Sequence, residues 1–181
     1  MGRAKRAPSS PEDKLAALYE LGQRLILLRD ERRIAAAVLE IAGDVLEFQD
    51  SDFLLVDPGH QELYVATCQG RLKKAKQLRL PLNGDRGITV VAARSGQPVY
   101  VPDVRGDPRY VDTGFAAVSE LAVPVQIEGR LLGVINVESR EADAFSPTDV
   151  QLLAALAAQA ALALENARLY ARERRRADEQ A

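Results

Sequence analysis

The sequence predicts an α+β domain with one antiparallel sheet of about six strands. Its apolar residues follow a helical period near both ends of the chain and an alternating, strand-like period in between. Short turn sequences join most neighbouring strand patterns, which favours antiparallel hairpins. A chain of 181 residues, 47% of them apolar, suits one globular domain with extensions. We therefore expect long terminal helices on one face of the sheet and a short helix with loops on the other.

Three helices are predicted at the two ends of the chain, each with apolar residues at steps of three and four. The first begins at Pro11, and the second is capped by Asp30. Ser146 precedes a proline at the first helical position, and Asp149 is placed to complete a capping box. These signals start a last helix that is expected to run to near Arg176.

The middle of the chain has the pattern of strands and turns. Residues 57–60 (Asp-Pro-Gly-His) and 128–129 (Glu-Gly) are turn sequences between pairs of strand patterns. A short helix over 86–94, capped by Asp85, and an irregular segment with one helical turn at 107–110 are expected later. The predicted strands are 51–56, 62–68, 77–82, 97–101, 120–127 and 130–138.

The composition excludes several classes of function. A net charge of −2 provides no basic field for nucleic acid. One cysteine, Cys68, and one histidine, His60, exclude a disulfide framework and leave too few ligands for a metal site. Residues 1–14 lack the apolar core of a signal peptide, and the longest apolar run, 152–158, is too short to span a bilayer. A cytoplasmic protein without membrane contact is predicted.

Residues 1–11 are expected to form a disordered basic tail, residues 12–170 the domain with its terminal helices, and residues 171–181 a charged helical extension. The basic stretch 71–76 is expected to be a solvated loop rather than a phosphate site.

Three stretches of the sequence carry motifs in a specific order and spacing. The first, 84–99, holds Gly-Asp-Arg-Gly-Ile and Ser-Gly-Gln-Pro; the second, 101–110, ends in Asp-Pro-Arg-Tyr. The third, 119–149, holds Leu-Ala-Val-Pro-Val, Gly-Val-Ile-Asn-Val and Phe-Ser-Pro-Thr-Asp. Together they resemble the GAF domain, the ligand-binding module of many signalling proteins, over roughly residues 15–170. The resemblance implies a GAF-like fold, related to the PAS fold, and a sensory or regulatory role.

The resemblance also implies an apolar pocket between the sheet and residues 85–116, which suits a small organic ligand. We expect no cofactor, and the ligand is unknown. The same residues could instead fill a core, in a ligandless domain that serves for dimerisation or protein interaction. The expected pocket residues are Phe53, Leu55, Ile88, Val91, Tyr100, Asp103, Arg109, Tyr110, Phe115, Ser119, Leu121 and Val123.

The sequence does not favour the ligands that particular family members bind. The resemblance to cyclic-nucleotide-binding members extends to Asn136, Phe145 and Asp149, but Val137 and Val150 replace the Lys and Glu of that signature. A bilin or a haem is not expected either, because Cys68 and His60 are not placed to hold one.

An enzymatic alternative comes from members that reduce free methionine sulfoxide. That chemistry needs a nucleophilic and a resolving cysteine, because a second thiol must discharge the sulfenic acid. The chain has only Cys68. We therefore expect no catalytic residues and no enzymatic activity.

The last helix has two apolar faces, one for the sheet and one for a partner helix. A parallel, dimeric helical bundle satisfies both, and pairing within one chain is the alternative. Ligand-induced ordering of residues 103–116 would then change the register or crossing angle of the bundle. The resemblance implies a kinase, cyclase or transcription-control output domain in cis or in trans, and we expect none within this chain. The expected dimer residues are Leu18, Leu25, Leu153, Leu156, Ala160, Ala163, Ala167 and Tyr170.

Overall fold

The computed structural model describes residues 10–71 and 77–180. The predicted tail, apart from residues 10 and 11, and the basic stretch 72–76 lie outside the described residues. The element order follows the predicted one. The helices are α1 (Pro11–Leu25), α2 (Glu31–Leu46), α3 (Ile88–Ser95) and α4 (Pro147–Glu179); the strands are β1 (Ser51–Asp57), β2 (Glu62–Gln69), β3 (Arg79–Pro81), β4 (Val99–Val101), β5 (Ser119–Ile127) and β6 (Arg130–Ser139).

The described strands form one six-stranded antiparallel sheet in the order β3-β2-β1-β6-β5-β4. The β5–β6 hairpin turns at Glu128 and Gly129, whose positive φ angles of 50° and 74° suit a tight turn. The predicted α+β class with an antiparallel sheet of about six strands is confirmed.

Two separate cores lie on the two faces of the sheet. Helices α1, α2 and α4 cover one face, where side chains such as Phe53, Leu55 and Ile135 are buried. Helix α3 and the segment after β4 cover the other face, where Leu54, Val134 and their neighbours are buried. Both faces of the central strands are therefore excluded from water. Antiparallel sheets more commonly leave one face in contact with solvent.

Capping side chains fix the helix starts as expected. The Asp30 carboxylate accepts from the Arg33 amide at 2.9 Å. The Ser146 hydroxyl accepts from the Asp149 amide at 3.1 Å, while Asp149 accepts from the Ser146 amide at 2.8 Å, which completes the predicted capping box.

The start of α3 differs from the prediction. Asp85 does not cap it: the N-cap is Gly87, at a φ of 102° and without a side-chain hydrogen bond. The Gly87 amide instead donates to the Arg109 carbonyl at 2.6 Å. A Cβ at Gly87 would lie 3.0 Å from Leu80 Cδ1, so glycine is needed both for the backbone angle and for the close approach.

The residues predicted to form a dimer mostly lie inside the subunit, which corrects that prediction. Leu18 and Leu25 of α1 pack with α4 in the same chain, and of the expected set only Tyr170 is exposed, at 42%. Gly22 allows the close approach, since a Cβ there would meet the Gln159 side chain at 2.8 Å. The expected α4 residues in this core are Leu153, Leu156, Ala160, Ala163 and Ala167.

Helix α4 also has the length and apolar composition of a membrane span, with a mean hydropathy of 1.3 over its most apolar 18 residues. Half of that window is buried inside the domain. The core helix of a globular domain meets the same two criteria.

Candidate functional site

A small cavity lies between the sheet, α3 and residues 102–118, which we call the covering segment. Its volume is about 20 Å³, enough for one water molecule or one ammonium group. The wall combines apolar side chains from β1, β3 and α3 with polar side chains from β1, β5, β6 and α3. The lining residues are Asp52, Leu54, Leu78, Leu80, Gly87, Ile88, Thr89, Val111, Thr113, Glu120, Asn136 and Glu138.

Strand register brings four polar side chains together on the floor of the cavity, and we call them the acidic cluster: Asp52, Glu120, Asn136 and Glu138. Asp52 of β1 lies opposite Asn136 of β6, and Glu138 of β6 lies opposite Glu120 of β5. All four stand at even positions, so alternation places them on one face of the sheet. None is more than 8% exposed.

The acidic cluster contains more oxygen acceptors than side-chain N–H donors. Asn136 Nδ2 donates to Glu138 Oε1 at 3.4 Å. Asp52 Oδ1, Asn136 Oδ1 and Glu138 Oε2 are buried and have no hydrogen-bond partner among the described residues. Because burying an unsatisfied oxygen costs about 1–3 kcal/mol, the cluster needs donors, which either protons on its carboxyl groups or a bound cation can supply.

Burial also perturbs the acid strength of the three carboxyl groups. Burial raises the pKa of Asp52 to about 7, although a hydrogen bond from Asn136 opposes the shift. Burial and then the charge of Asp52 raise the pKa of Glu138 to about 8. Burial and the charge of Glu138 raise the pKa of Glu120 well above its usual range. Near neutral pH the acidic cluster therefore holds protons, which an incoming positive charge would displace.

The covering segment is held mainly by its own hydrogen bonds. Asp112 Oδ1 accepts from the amides of Gly114 and Ala116, at 2.8 and 3.2 Å. The Tyr110 hydroxyl accepts from the Ala117 amide at 3.1 Å. The bond from Gly87 to the Arg109 carbonyl joins the segment to α3. Since Val111 and Thr113 line the cavity, a shift of this segment would change access to the acidic cluster.

The connection between β6 and α4, residues 140–146, is bonded to the covering segment and to β4. The Asp143 amide donates to the Pro102 carbonyl at 2.9 Å, and the Tyr100 hydroxyl donates to Asp143 Oδ1 at 2.9 Å. Arg140 Nε donates to the Phe115 carbonyl at 3.1 Å. The covering segment is therefore linked through this connection to the first turn of α4.

Four of the predicted pocket residues lie on the wrong face of the sheet. Phe53, Leu55, Leu121 and Val123 point into the helix-side core, away from the cavity. They stand at odd positions, whereas the residues of β1, β5 and β6 that line the cavity stand at even positions. The physical reason is that both faces are buried, so apolar character alone does not tell which face carries the cavity.

Of the other predicted pocket residues, Ile88 lines the cavity, and Tyr110 and Phe115 belong to the core beside it. Val91 is half-buried outside the cavity lining. The rest are held elsewhere: Tyr100 packs on the helix-side core, Asp103 pairs with Arg105, Arg109 pairs with Asp107, and the Ser119 hydroxyl donates to the Glu141 carbonyl.

The acidic cluster is the feature that the sequence analysis missed. Its signal was present, because polar residues at positions 120, 136 and 138 interrupt two otherwise apolar strands on a single alternating face. A polar residue within a buried strand is more informative than the apolar residues around it.

The lone histidine and cysteine have ordinary surroundings. The His60 side chain is 73% exposed and contacts Asp57 in the β1–β2 turn. Cys68 lies opposite Asp52 in the sheet, is half-buried, and packs against the core on the cavity side. Within residues 10–71 and 77–180, no group of three or more His, Cys, Asp or Glu side chains is placed to hold a metal ion.

Comparison with known proteins identifies similar sequences. The profile of the family described as the GAF domain matches residues 29–165. GAF domain-containing protein A of Dictyostelium discoideum is 28% identical over 101 residues, and the match covers 56% of this chain and 60% of that protein. The chain thus spans less than two thirds of this relative.

Solved structures share the fold. A free methionine-R-sulfoxide reductase from Neisseria meningitidis, in complex with its substrate, has a TM-score of 0.80 at 25% identity, over 93% of this chain and 99% of that one. The domain from an Acinetobacter phosphoenolpyruvate-protein phosphotransferase has a TM-score of 0.76 at 18% identity, over 86% and 95% of the two chains. An identity of 18% supports the fold alone.

Proposed function

Since the chain belongs to the GAF domain family, a family of sensory and regulatory modules in signalling, we propose that it is a non-catalytic cytoplasmic sensor of a small molecule that carries a primary ammonium group. The ammonium group would enter the cavity, displace protons from the acidic cluster and donate to its oxygens.

The unsatisfied acceptors of the acidic cluster carry this proposal. A primary ammonium group offers three N–H donors, and three buried oxygens lack a partner among the described residues. Hydrogen bonds between charged partners are about twice as strong as neutral ones. This chemistry replaces the apolar pocket expected from the sequence.

The size of the cavity limits what enters while the covering segment is closed. A volume of about 20 Å³ holds only the ammonium group itself. The remainder of a larger ligand, such as an amino acid, requires the covering segment to move outward. Ligand binding and the position of this segment are therefore coupled in the proposed mechanism.

The relay in this proposal runs from the covering segment to α4. Residues 140–146 are bonded to Pro102, Tyr100 and Phe115, and they lead directly into the capping box of α4. A ligand that binds the open and closed segments unequally would shift the start of the helix. The receiver would be a kinase, cyclase or transcription-control domain in cis or in trans.

Calorimetric titration with matched pairs of small molecules tests the ligand class. Alanine and lactate differ in an ammonium against a hydroxyl group, and so do serine and glycerate. We expect the ammonium member of at least one pair to bind the purified protein and raise its melting temperature, because binding to the native state stabilises it.

Native mass spectrometry of the same preparation reports the subunit count and any co-purifying molecule. Equal binding of both members of a pair would contradict the recognition of ammonium. Complete indifference to all amines, with a stable dimer, would support the ligandless dimerisation module instead.

The dimer remains part of the proposal, with a corrected interface. Leu15 and Tyr19 of α1 and Ile26 directly after it are exposed, and so are Leu162 and Leu169 of α4, each 43% or more. Asn166 Nδ2 donates to the Ile26 carbonyl at 3.1 Å, which places these two apolar rows side by side. A second copy related by a two-fold axis would present the same rows and cover them.

Replacing Leu162 and Leu169 by glutamate should convert the dimer into a monomer. Burying each leucine contributes about 1.5–3 kcal/mol, so two charged residues on the interface of each subunit would remove most of the association energy. Light scattering after size-exclusion chromatography gives the mass. Leu27→Glu is the control, because Leu27 is 74% exposed in the turn that follows α1. A wild-type monomer, or an unchanged double variant, would refute the interface.

Thiol-dependent reduction of methionine sulfoxide is the enzymatic alternative, favoured by the reductase that shares the fold. We expect no turnover with a dithiol reductant, because Cys68, the one cysteine of the chain, is not among the residues that line the cavity. Coupled assay of the reductant, with Cys68→Ser as the matched variant, measures this. Turnover that disappears in Cys68→Ser would identify an enzyme.

A further inference from the structure

A cleft of about 950 Å³ lies on the helix side of the molecule, away from the cavity with the acidic cluster. Its walls are the start of α2, the open end of β1 and β2, and the last third of α4. Seven arginines and three carboxylates line it, although the whole chain has a net charge of −2. Positive charge is therefore concentrated in one concave place, which we call the arginine cleft.

The carboxylates of the arginine cleft already have partners within the domain. Asp30 caps α2, Glu31 pairs with Arg168, and Asp57 pairs with Arg79 and His60. They neutralise only part of the positive charge.

Three arginines of the arginine cleft form no ion pair with the described residues. Arg29, Arg32 and Arg175 line the arginine cleft and, within the described part of the chain, have no carboxylate within 4.0 Å. Arg29 lies over the Tyr170 ring, 4.5 Å from its centroid. Arg172 shares Glu165 with Arg130, so that one carboxylate serves two guanidinium groups. A surplus of this kind attracts a multivalent anion.

Tyr64 adds a neutral donor to the floor of the arginine cleft. Burial and the charge of Glu31 raise the pKa of its hydroxyl, against Arg32 and Arg168, which lower it. The hydroxyl therefore stays protonated and can donate. Arg79 lies over the Tyr64 ring, 5.3 Å from its centroid, which holds that guanidinium group at the mouth of the cleft.

We propose that the arginine cleft is a second ligand site and that it binds a compact polyphosphate, either inorganic pyrophosphate or the diphosphate of a nucleotide. Guanidinium groups match phosphate oxygens in geometry and charge. The volume accommodates a molecule of nucleotide size.

A bound polyphosphate would add a connection between the start of α2 and the far part of α4. Arg32 lies at the start of α2, whereas Arg175 lies on the part of α4 whose residues are exposed after Ala171. The anion would tie this exposed part of α4 to the body of the domain. The arginine cleft would thus be an input to α4 that is independent of the acidic cluster.

Isothermal titration of the full chain with pyrophosphate, and then with ADP, at constant ionic strength tests the proposal. We expect saturable binding of one anion per subunit. Arg32→Ala combined with Arg175→Ala should weaken it at least tenfold, because charge-assisted bonds are lost. Neither arginine has an ion pair to lose within the described residues, so the variant should melt as the wild type does.

The matched control is Arg33→Ala combined with Arg174→Ala, which removes the same charge from the same two helices outside the arginine cleft. It should change affinity less than twofold. Hydrogen exchange over residues 168–176 should slow with pyrophosphate in the wild type. Tighter binding of ADP than of pyrophosphate would assign the site to a nucleotide. Equal affinity for ADP and pyrophosphate would show that the site recognises the phosphates alone. Absence of saturable binding, or equal losses in both double variants, would overturn the proposal.

Discussion

Glutamine at positions 120 and 138 should weaken ligand binding about 100-fold and at the same time make the protein more stable. Glu120 and Glu138 are 4% and 8% exposed and face each other across β5 and β6. Two charge-assisted hydrogen bonds to an ammonium group contribute about 3 kcal/mol or more, so the affinity should fall about 100-fold. Amide groups do not ionise, so above pH 8 the cost of burying negative charge at these two positions disappears.

Calorimetry and thermal unfolding measure the two effects on one preparation. At pH 9 we expect the double variant to gain more than about 1.4 kcal/mol of unfolding free energy, the value of a single pKa unit. Glu40→Gln combined with Glu141→Gln removes the same charge from exposed positions and should change neither property. Loss of binding together with loss of stability would instead mark the two glutamates as structural. It would not affect the arginine cleft, which shares no residue with the acidic cluster.

The second large effect is an opposite response of stability and affinity to pH. The pKa values of Asp52 and Glu138 are raised to about 7 and about 8, above those of the unfolded chain. The folded protein therefore binds more protons than the unfolded one, and its stability is fully present below about pH 4. That stability is lost as the pH rises through about 7 to 8.

Affinity for an ammonium ligand should rise over the same interval, because the ligand binds the ionised cluster and releases protons. The expected increase is about tenfold per pH unit for each proton released, between pH 6 and pH 8. Titration in two buffers of different ionisation enthalpy counts the protons. The Glu120→Gln and Glu138→Gln double variant should reduce the slope of both profiles to the contribution of Asp52. An affinity that falls with rising pH would exclude the proposed exchange of protons for ligand.

Local sequence signals were sufficient to predict the order of the helices and strands and the antiparallel sheet. Asp30, Ser146 and Asp149 act as caps in the structure because capping depends on residues within one turn. The prediction that Asp85 caps α3 was wrong because the start of this helix is fixed by a tertiary contact. The Gly87 amide is taken by a carbonyl of the covering segment, 22 positions later, and no local pattern contains that contact.

The face of the sheet that carries the cavity could not be predicted from apolar residues. Phe53 and Leu54 are both fully buried, on opposite faces, so their burial gives no direction. The prediction of the dimer residues was wrong for a related reason. Leu18 of α1 and Leu156 of α4 belong to one core, because the two helices pack against each other within one chain. In both cases two apolar surfaces competed, and only the three-dimensional packing decides between them.

The continuity of α4 has a mechanical consequence. The helix runs unbroken for 33 residues from its capping box, which corresponds to about 50 Å. Because its buried residues from Leu152 to Ala167 are packed in the core, the helix can tilt only together with α1 and α2; such a tilt of about 5° about Ser146 would displace the far end by about 4 Å. A small adjustment beside the covering segment, if it tilts this helical layer, would thus become a movement of several ångströms at Glu179.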